Sequence, residues 1–490
     1  MRAKSTNGLS HHSKTLLATE HTRSLYLTYG LVLATNLASS LYASFDARGL
    51  YADGAALLVV IYERNWLPPI GGTRDVVEIL RQLPIILLSR YSSASLIECG
   101  QAFTFVMLTL PTMLCALCWP ILRRNDKAWI LFPLASLLVG FAATSINAVG
   151  EAAIATSYYW ILLFLLLFKV RSIEWQALFL LLCIPALGLH EGAFPLTAVL
   201  LLAIAMRVHA AVGHPRERLF VGLALLLLVA LFAYQIDWVV YPRYPGDREI
   251  IVRGLVQLEF LYFENHFNLP VITGALAVLA LLAVFFVYAT RPAEKAVRLA
   301  NMIAVAWAVL ALVAMATAIA VEQSLSPHSQ FQSRYHPIFV SAMLGTCMIL
   351  LLRYKLSNRL WLQPATIFIL ISLCAAQAVA DVAATRRWND YVVDLQSRLT
   401  RERGLIPWDT ALHTANERAD INWRLFEMAW VIPYTCVIFA PNGIVSSIVD
   451  LPEGTTFRPL DPERPERLPK LRGVNFAPYK SFFDAQKGYP

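Results

Sequence analysis

The stretch LFVGLALLLLVALFAYQIDWVV, residues 219–240, runs for 22 residues with a single charge, Asp237, near its end. A helix needs about 20 apolar residues to cross the hydrocarbon layer of a bilayer, so this stretch predicts a transmembrane span. Outward from it in both directions, comparable stretches fall at 24–44, 98–122, 128–148, 155–169, 174–189, 195–207, 269–290, 299–321, 338–353 and 361–381. Hydrophobic residues make up 57% of the chain and charged residues 15%, and mean hydropathy is +0.55. Those values exclude a soluble globular class. The reading is an all-α polytopic transmembrane helical bundle of about eleven spans. The stretches 155–169 and 195–207 are short for a full crossing. They predict burial inside the bundle, tilt mismatch or a re-entrant hairpin over 174–207.

Lys and Arg set the orientation. The N-terminal arm, 1–23, holds Arg2, Lys4, Lys14 and Arg23. Alternate loops then carry Arg123, Arg124 and Lys127; Lys169 and Arg171; Arg207, Arg216 and Arg218; Arg291, Lys295 and Arg298; Arg353, Lys355 and Arg359. The intervening short loops near 149–154 and 190–194 contain neither residue. The reading is a multi-pass inner-membrane protein with a cytoplasmic N-terminus and an extracytoplasmic, periplasmic tail. It divides into the arm 1–23, a bundle 24–381 that includes a long first outer loop 45–97, and a tail 382–490. A cleaved signal peptide over 1–44 is set aside, because the later topology needs the first span. The net charge of +8 belongs mostly to the cytoplasmic collar beside anionic lipid, and no nucleic-acid partner is implied.

The seven cysteines show no disulfide framework and no metal spacing. Cys115 and Cys118 read as small residues inside an apolar helix. No metal site is assigned, and divalent-metal dependence is left open.

The unusual polar residues collect in the outer loops. Asp46 and Asp53 stand where the first span leaves the membrane, in Phe45-Asp46-Ala47-Arg48-Gly49-Leu50-Tyr51-Ala52-Asp53-Gly54. An interfacial helix follows over Ala55–Tyr62, and a second over 73–90 with Asp75, Glu78, Arg81 and Arg90 on its wet side. A carboxylate at this boundary suits a general base for a lipid-borne reaction. The bland alternative is a helix cap or a pair with Arg48. Glu151 lies at the mouth of two apolar spans, where an ionisable residue is costly and marks a site. His190-Glu191 stands in a tight hairpin with no other charge, where a histidine can shuttle protons or donate to phosphate. The fourth outer loop, 241–268, reads as a solvated loop with aromatic anchors. In the fifth, Arg334-Tyr335-His336 precedes a span. Arg334 offers a fixed fork of donors to phosphate, Tyr335 a ring for a sugar, and His336 another donor. The tail predicts a helix over 385–403 and a few strands over Val431–Val449. It shows no nucleotide loop and no hydrolase or zinc motif of its own.

An enzyme on the outer face has no nucleotide-sugar pool to draw on. It needs a base, cations for a leaving phosphate, and a donor carried by the membrane. In layout the chain resembles the GT-C superfamily of membrane glycosyltransferases, which use polyprenyl-phosphate sugars. The shared features are about eleven uneven spans, a long first outer loop with interfacial helices, an acid just after the first span and an outer tail. The resemblance covers roughly residues 24–381. Asp-Gly after the first span and Gln82-Leu83-Pro84 in the same loop are also similar to a group of bacterial membrane proteins of unassigned function. The resemblance implies a base at Asp53, with Asp46 and Glu151 as alternatives. Arg334, His336, His190 and Arg48, with Arg74 nearby, are the expected phosphate-binding residues. Glu191, Tyr335 and Tyr51 are expected to line the substrate. Membrane lipids, a lipid-linked sugar donor and a glycan or lipid acceptor are the expected partners. The competing readings are a transporter or flippase of a lipid-linked or small polar substrate, an O-antigen polymerase or ligase, and a non-catalytic envelope-assembly subunit. Few mid-span charges and no internal repeat speak against the transporter.

Overall fold

The computed structural model describes residues 7–51, 53–67, 74–142, 151–169, 172–208, 215–241, 329–353, 363–407, 432–449 and 468–487. Ten helices order the first part: α1 (Asn7–Phe45), α2 (Asp53–Arg64), α3 (Asp75–Tyr91), α4 (Leu96–Ala116), the one-turn α5 (Cys118–Ile121), α6 (Leu131–Ala142), α7 (Glu151–Phe168), α8 (Ile173–Cys183), α9 (Phe194–Val208) and α10 (Pro215–Val240). Later come α11 (Ser329–Arg353), α12 (Gln363–Arg401), α13 (Ile432–Ile438) and α14 (Ala477–Lys487). A short parallel pair, β1 (Gly404–Ile406) and β2 (Ser447–Val449), joins the end of α12 to the tail.

The described residues are mostly helical, as expected. Four segments, Leu96–Ile121, Glu151–Phe168, Pro215–Trp238 and Ile367–Arg401, are long and apolar enough to cross a membrane by length and composition. This is consistent with a membrane protein. Shorter apolar helices cover Ile173–Gly188, Phe194–Ala205 and Val340–Ile349. Spans expected at 269–290 and 299–321 lie outside the described residues.

The bundle is organised around α7. Every residue from Glu151 to Leu166 is buried, and α4, α6, α8, α9 and α11 all pack on it. A helix apolar on all sides has no wet face to offer, so it takes the central place. An unpaired polar atom inside the bundle costs about 1–3 kcal/mol, and three side chains there meet that cost by bonding to one another. Tyr159 of α7 donates to Thr197 of α9 (2.9 Å), Thr197 donates to Gln235 of α10 (2.7 Å), and Gln235 donates back to Tyr159 (2.9 Å). Each of these three side chains both gives and accepts, so the three bonds close into a ring.

The two ends of the bundle differ. At one, Tyr29 stacks on Trp119, Lys127 lies over the same indole at 4.3 Å, and Lys169 lies over Trp175 at 5.2 Å. At the other end stand Asp46, Arg48, Arg81, Glu151 and the tail. The segment that follows α1 is built by close backbone approach. Gly49 donates to the Thr104 hydroxyl (2.9 Å), and a Cβ on Gly54 would stand 1.9 Å from the Gly49 carbonyl. Only glycine lets α2 start this close to the turn at Arg48–Leu50.

Three expectations are corrected. The helix α12 runs from Gln363 to Arg401 with no break, where a span over 361–381 and a separate helix over 385–403 were expected. Residues 432–438, expected among strands, are α13, and Ser447–Val449 is the strand of that segment. Arg81, expected on the wet side of α3, is buried at 3% exposure.

Candidate functional site

The reason for the Arg81 correction is helical spacing. Val77, Arg81, Ile85 and Ser89 follow one another at intervals of four and share the buried face of α3. The guanidinium is carried inward on an apolar stripe and must be paired there. It is paired twice. Its Nη1 donates to Glu151 Oε1 at 2.9 Å, and its Nε donates to Glu78 Oε2 at 2.8 Å. Arg74, half-buried, stands 3.9 Å from the other Glu151 oxygen. Gln82 also donates to Glu78. Burial pushes the Glu78 carboxyl above its ordinary value against the pull of Arg81, and the Glu151 charge pushes the same way as burial.

His190 completes the cluster from a third segment. It is 3% exposed and lies near enough to Glu151 to act on its charge. Its Nδ1 accepts the Gly192 backbone N–H at 3.0 Å, which places the ring proton of the neutral imidazole on Nε2. The structure thus brings together two of the sequence-derived candidates, Glu151 and His190, with Arg74. To these it adds Glu78, Arg81 and Gln82. The apolar i, i+4 flanks of Arg81 were the sequence signal for its burial.

Arg48 and Asp46 take part in a second arrangement. Ala47 adopts a left-handed backbone, φ 51° and ψ 38°, which costs a non-glycine residue about 1–2 kcal/mol. Across that bend Arg48 enters the bundle and bonds α12. Its Nη2 donates to Asp381 Oδ1 (3.1 Å), and its Nη1 donates to the Asp381 carbonyl (2.9 Å) and the Thr385 hydroxyl (3.1 Å). Gln377 donates to the other Asp381 oxygen at 3.3 Å. Arg48 is therefore paired, among the described side chains, with an acid 333 residues away. A cavity of about 30 Å³ adjoins this pair, lined by Asn36, Ser40, Thr112 and Gln377 among others. That is room for a water or two and none for a sugar. Trp388 donates to the Asp46 backbone carbonyl at 2.8 Å, and the buried Tyr51 ring meets Trp388 edge-on at 6.1 Å. Tyr51 thus serves the junction with α12.

Burial pushes the half-buried Asp46 carboxyl up from the ordinary aspartate value. Folding then takes up a proton just above the usual aspartate range, so stability falls as pH rises through that window. Asp46→Asn is expected to remove this slope. Denaturant unfolding of both chains at a series of pH values near about 4–6 reads it, and an unchanged slope in the variant refutes the assignment.

Asp53 opens α2 by its backbone. Arg334, Tyr335 and His336 fall in the first half of α11, and Glu191 in the 3₁₀ turn Glu191–Ala193. Their side chains lie outside the described residues, as does the loop 242–268. Among the described residues no group of three or more His, Cys, Asp or Glu is placed to hold a metal ion. The chain matches no family model, and comparisons with curated proteins and with solved structures return no match.

Proposed function

We propose that the chain is a membrane glycosyltransferase that moves a sugar from a polyprenyl-phosphate donor to a hydroxyl acceptor. One observation supports this above the rest. Three separate segments converge at one end of α7: Arg74 and Arg81 pair with Glu151, Arg81 also pairs with Glu78, and the buried His190 lies near enough to Glu151 to act on its charge. Isolated buried charges are costly, and a cluster of both signs at the mouth of apolar helices is the arrangement that phosphate capture and proton removal require.

In this reading the donor phosphate lies against Arg74 and Arg81, with the His190 Nε2–H as a further donor. A carboxylate removes the acceptor proton; Asp53 of the first outer loop is the first choice, with Asp46 and Glu151 behind it. The acceptor oxygen bonds to the sugar anomeric carbon as the carbon–phosphate oxygen bond breaks. The polyprenyl phosphate leaves with that electron pair, held by the two arginines.

Arg74 tests the proposal with least risk to the fold, because it is partly exposed and 3.9 Å from Glu151. Arg74→Ala is expected to raise the donor KM about tenfold, the size of one charge-assisted hydrogen bond, with kcat and thermal stability little changed. Asp53→Asn is expected to abolish transfer while the protein stays folded. The measurement is transfer of a radiolabelled sugar from polyprenyl phosphate by the detergent-purified protein, beside mass spectrometry of its co-purifying lipid. Neither transfer nor retained lipid phosphate would end the proposal.

A further inference from the structure

A second cavity, of about 650 Å³, opens at the other end of α3. From Arg81 to Tyr91 the helix climbs about 15 Å, so this cavity is separate from the charged cluster. One wall is Tyr62 of α2 with residues 93–97, which lead into α4; the other is the tail, residues 437–443 and 472–474. The volume is that of a small-molecule pocket.

Three features describe its occupant. The walls are mainly apolar, with Leu96, Ile97, Val437 and Phe439 among them. Among the described residues, Arg472 is the one charged residue lining it, and it is held in place. It lies 5.9 Å over the Tyr62 ring and donates to the carbonyls of Ser92 and Ala94, each at 3.1 Å. The third feature is depth. Leu96 is the first residue of a segment able to span a membrane. Beside it, Arg90 lies between the exposed rings of Trp66 (5.6 Å) and Tyr91 (5.9 Å). Trp, Tyr and Arg at one level mark the boundary between hydrocarbon and water. A pocket at that level, apolar within and carrying one cation, fits a molecule with an apolar chain and an anionic head.

We infer that this cavity binds an anionic membrane lipid, its chain against Leu96, Ile97 and Phe439 and its headgroup at Arg472, with the tail as the covering wall. The site stands apart from the transferase reading and does not depend on it.

The test uses the full chain in nanodiscs of phosphatidylcholine and phosphatidylglycerol that contain a trace of diazirine-bearing phosphatidylglycerol. Photolabel is expected to concentrate on peptides holding residues 93–97, 437–443 and 472–474. Unlabelled phosphatidylglycerol should compete it away from those peptides, whereas soluble glycerol phosphate should not. Competition by glycerol phosphate would assign the site to a free phosphate and overturn the lipid assignment. Ile97→Trp, which fills the cavity, is expected to cut labelling of these peptides at least fivefold and to leave labelling of the exposed face of α10 unchanged. Arg472→Gln is expected to shift the preference toward phosphatidylcholine. Label spread in proportion to apolar exposure, unmoved by competitor or by Arg472→Gln, would overturn the inference even if the tryptophan variant failed to fold.

Discussion

Arg81→Met is expected to lower the stability of the detergent-solubilised protein by about 3–5 kcal/mol, the usual loss when one member of a buried ion pair is removed. The side chain is 3% exposed and binds both Glu78 and Glu151. Without it two carboxylates face each other in a nearly dry site, with Arg74 3.9 Å from Glu151. The double change Arg81→Met with Glu151→Gln is expected to recover part of the loss, because it removes the Glu151 charge together with its partner and leaves only Glu78 without Arg81. Unfolding of the two single variants, the double variant and the parent chain gives the coupling directly. Additive losses would mean that the two side chains do not share a pair. The same four proteins separate structure from chemistry. The double variant, folded but without the Arg81–Glu151 pair, is expected to show no sugar transfer.

The second large effect is expected at Arg48. Its three bonds to α12 tie the turn after α1 to that long helix across at least 333 residues of sequence. Asp381→Asn leaves the guanidinium buried beside a neutral amide, and Arg48→Met leaves the carboxylate with the Gln377 amide. Each is expected to cost about 3–5 kcal/mol. Arg48→Met is also expected to loosen the tail, because Tyr51 and the Asp46 carbonyl reach Trp388 from the same short turn. Hydrogen exchange at residues 46–51 and 385–395 reads that loosening. Protection there equal to the parent chain would show that the aromatic contacts hold the junction without the ion pair.

The helical bundle was legible because apolar runs are set by composition along the chain, and a period of 3.6 residues needs no knowledge of partners. The position of α3 was legible too, down to Asp75 for an expected start at 73. What misled was charge. Arg81 reads as a wet residue if arginine is taken at face value, and as a buried one if its neighbours Val77 and Ile85 decide the face. Asp381 escaped for a similar reason: it sits at the end of an apolar run, four residues after Gln377, and nothing nearby in sequence names its partner. Glu78, His190 and Glu151 were visible as single residues, but their convergence was not. The strand expectation at 432–438 followed β-branched composition, and tertiary contact with α2 settled that segment as a helix instead.

The sequence by itself determined that this chain builds apolar helices and that its rare charges cluster in a few loops, because burial of apolar surface and the cost of charge in hydrocarbon act residue by residue. The tertiary structure alone decided which charges meet. Arg48 finds Asp381, and Arg81 finds Glu151 seventy positions on, because a buried charge is tolerable only beside its partner, and only the packing of α3 on α4 and of α4 on α7 brings that partner within 3 Å.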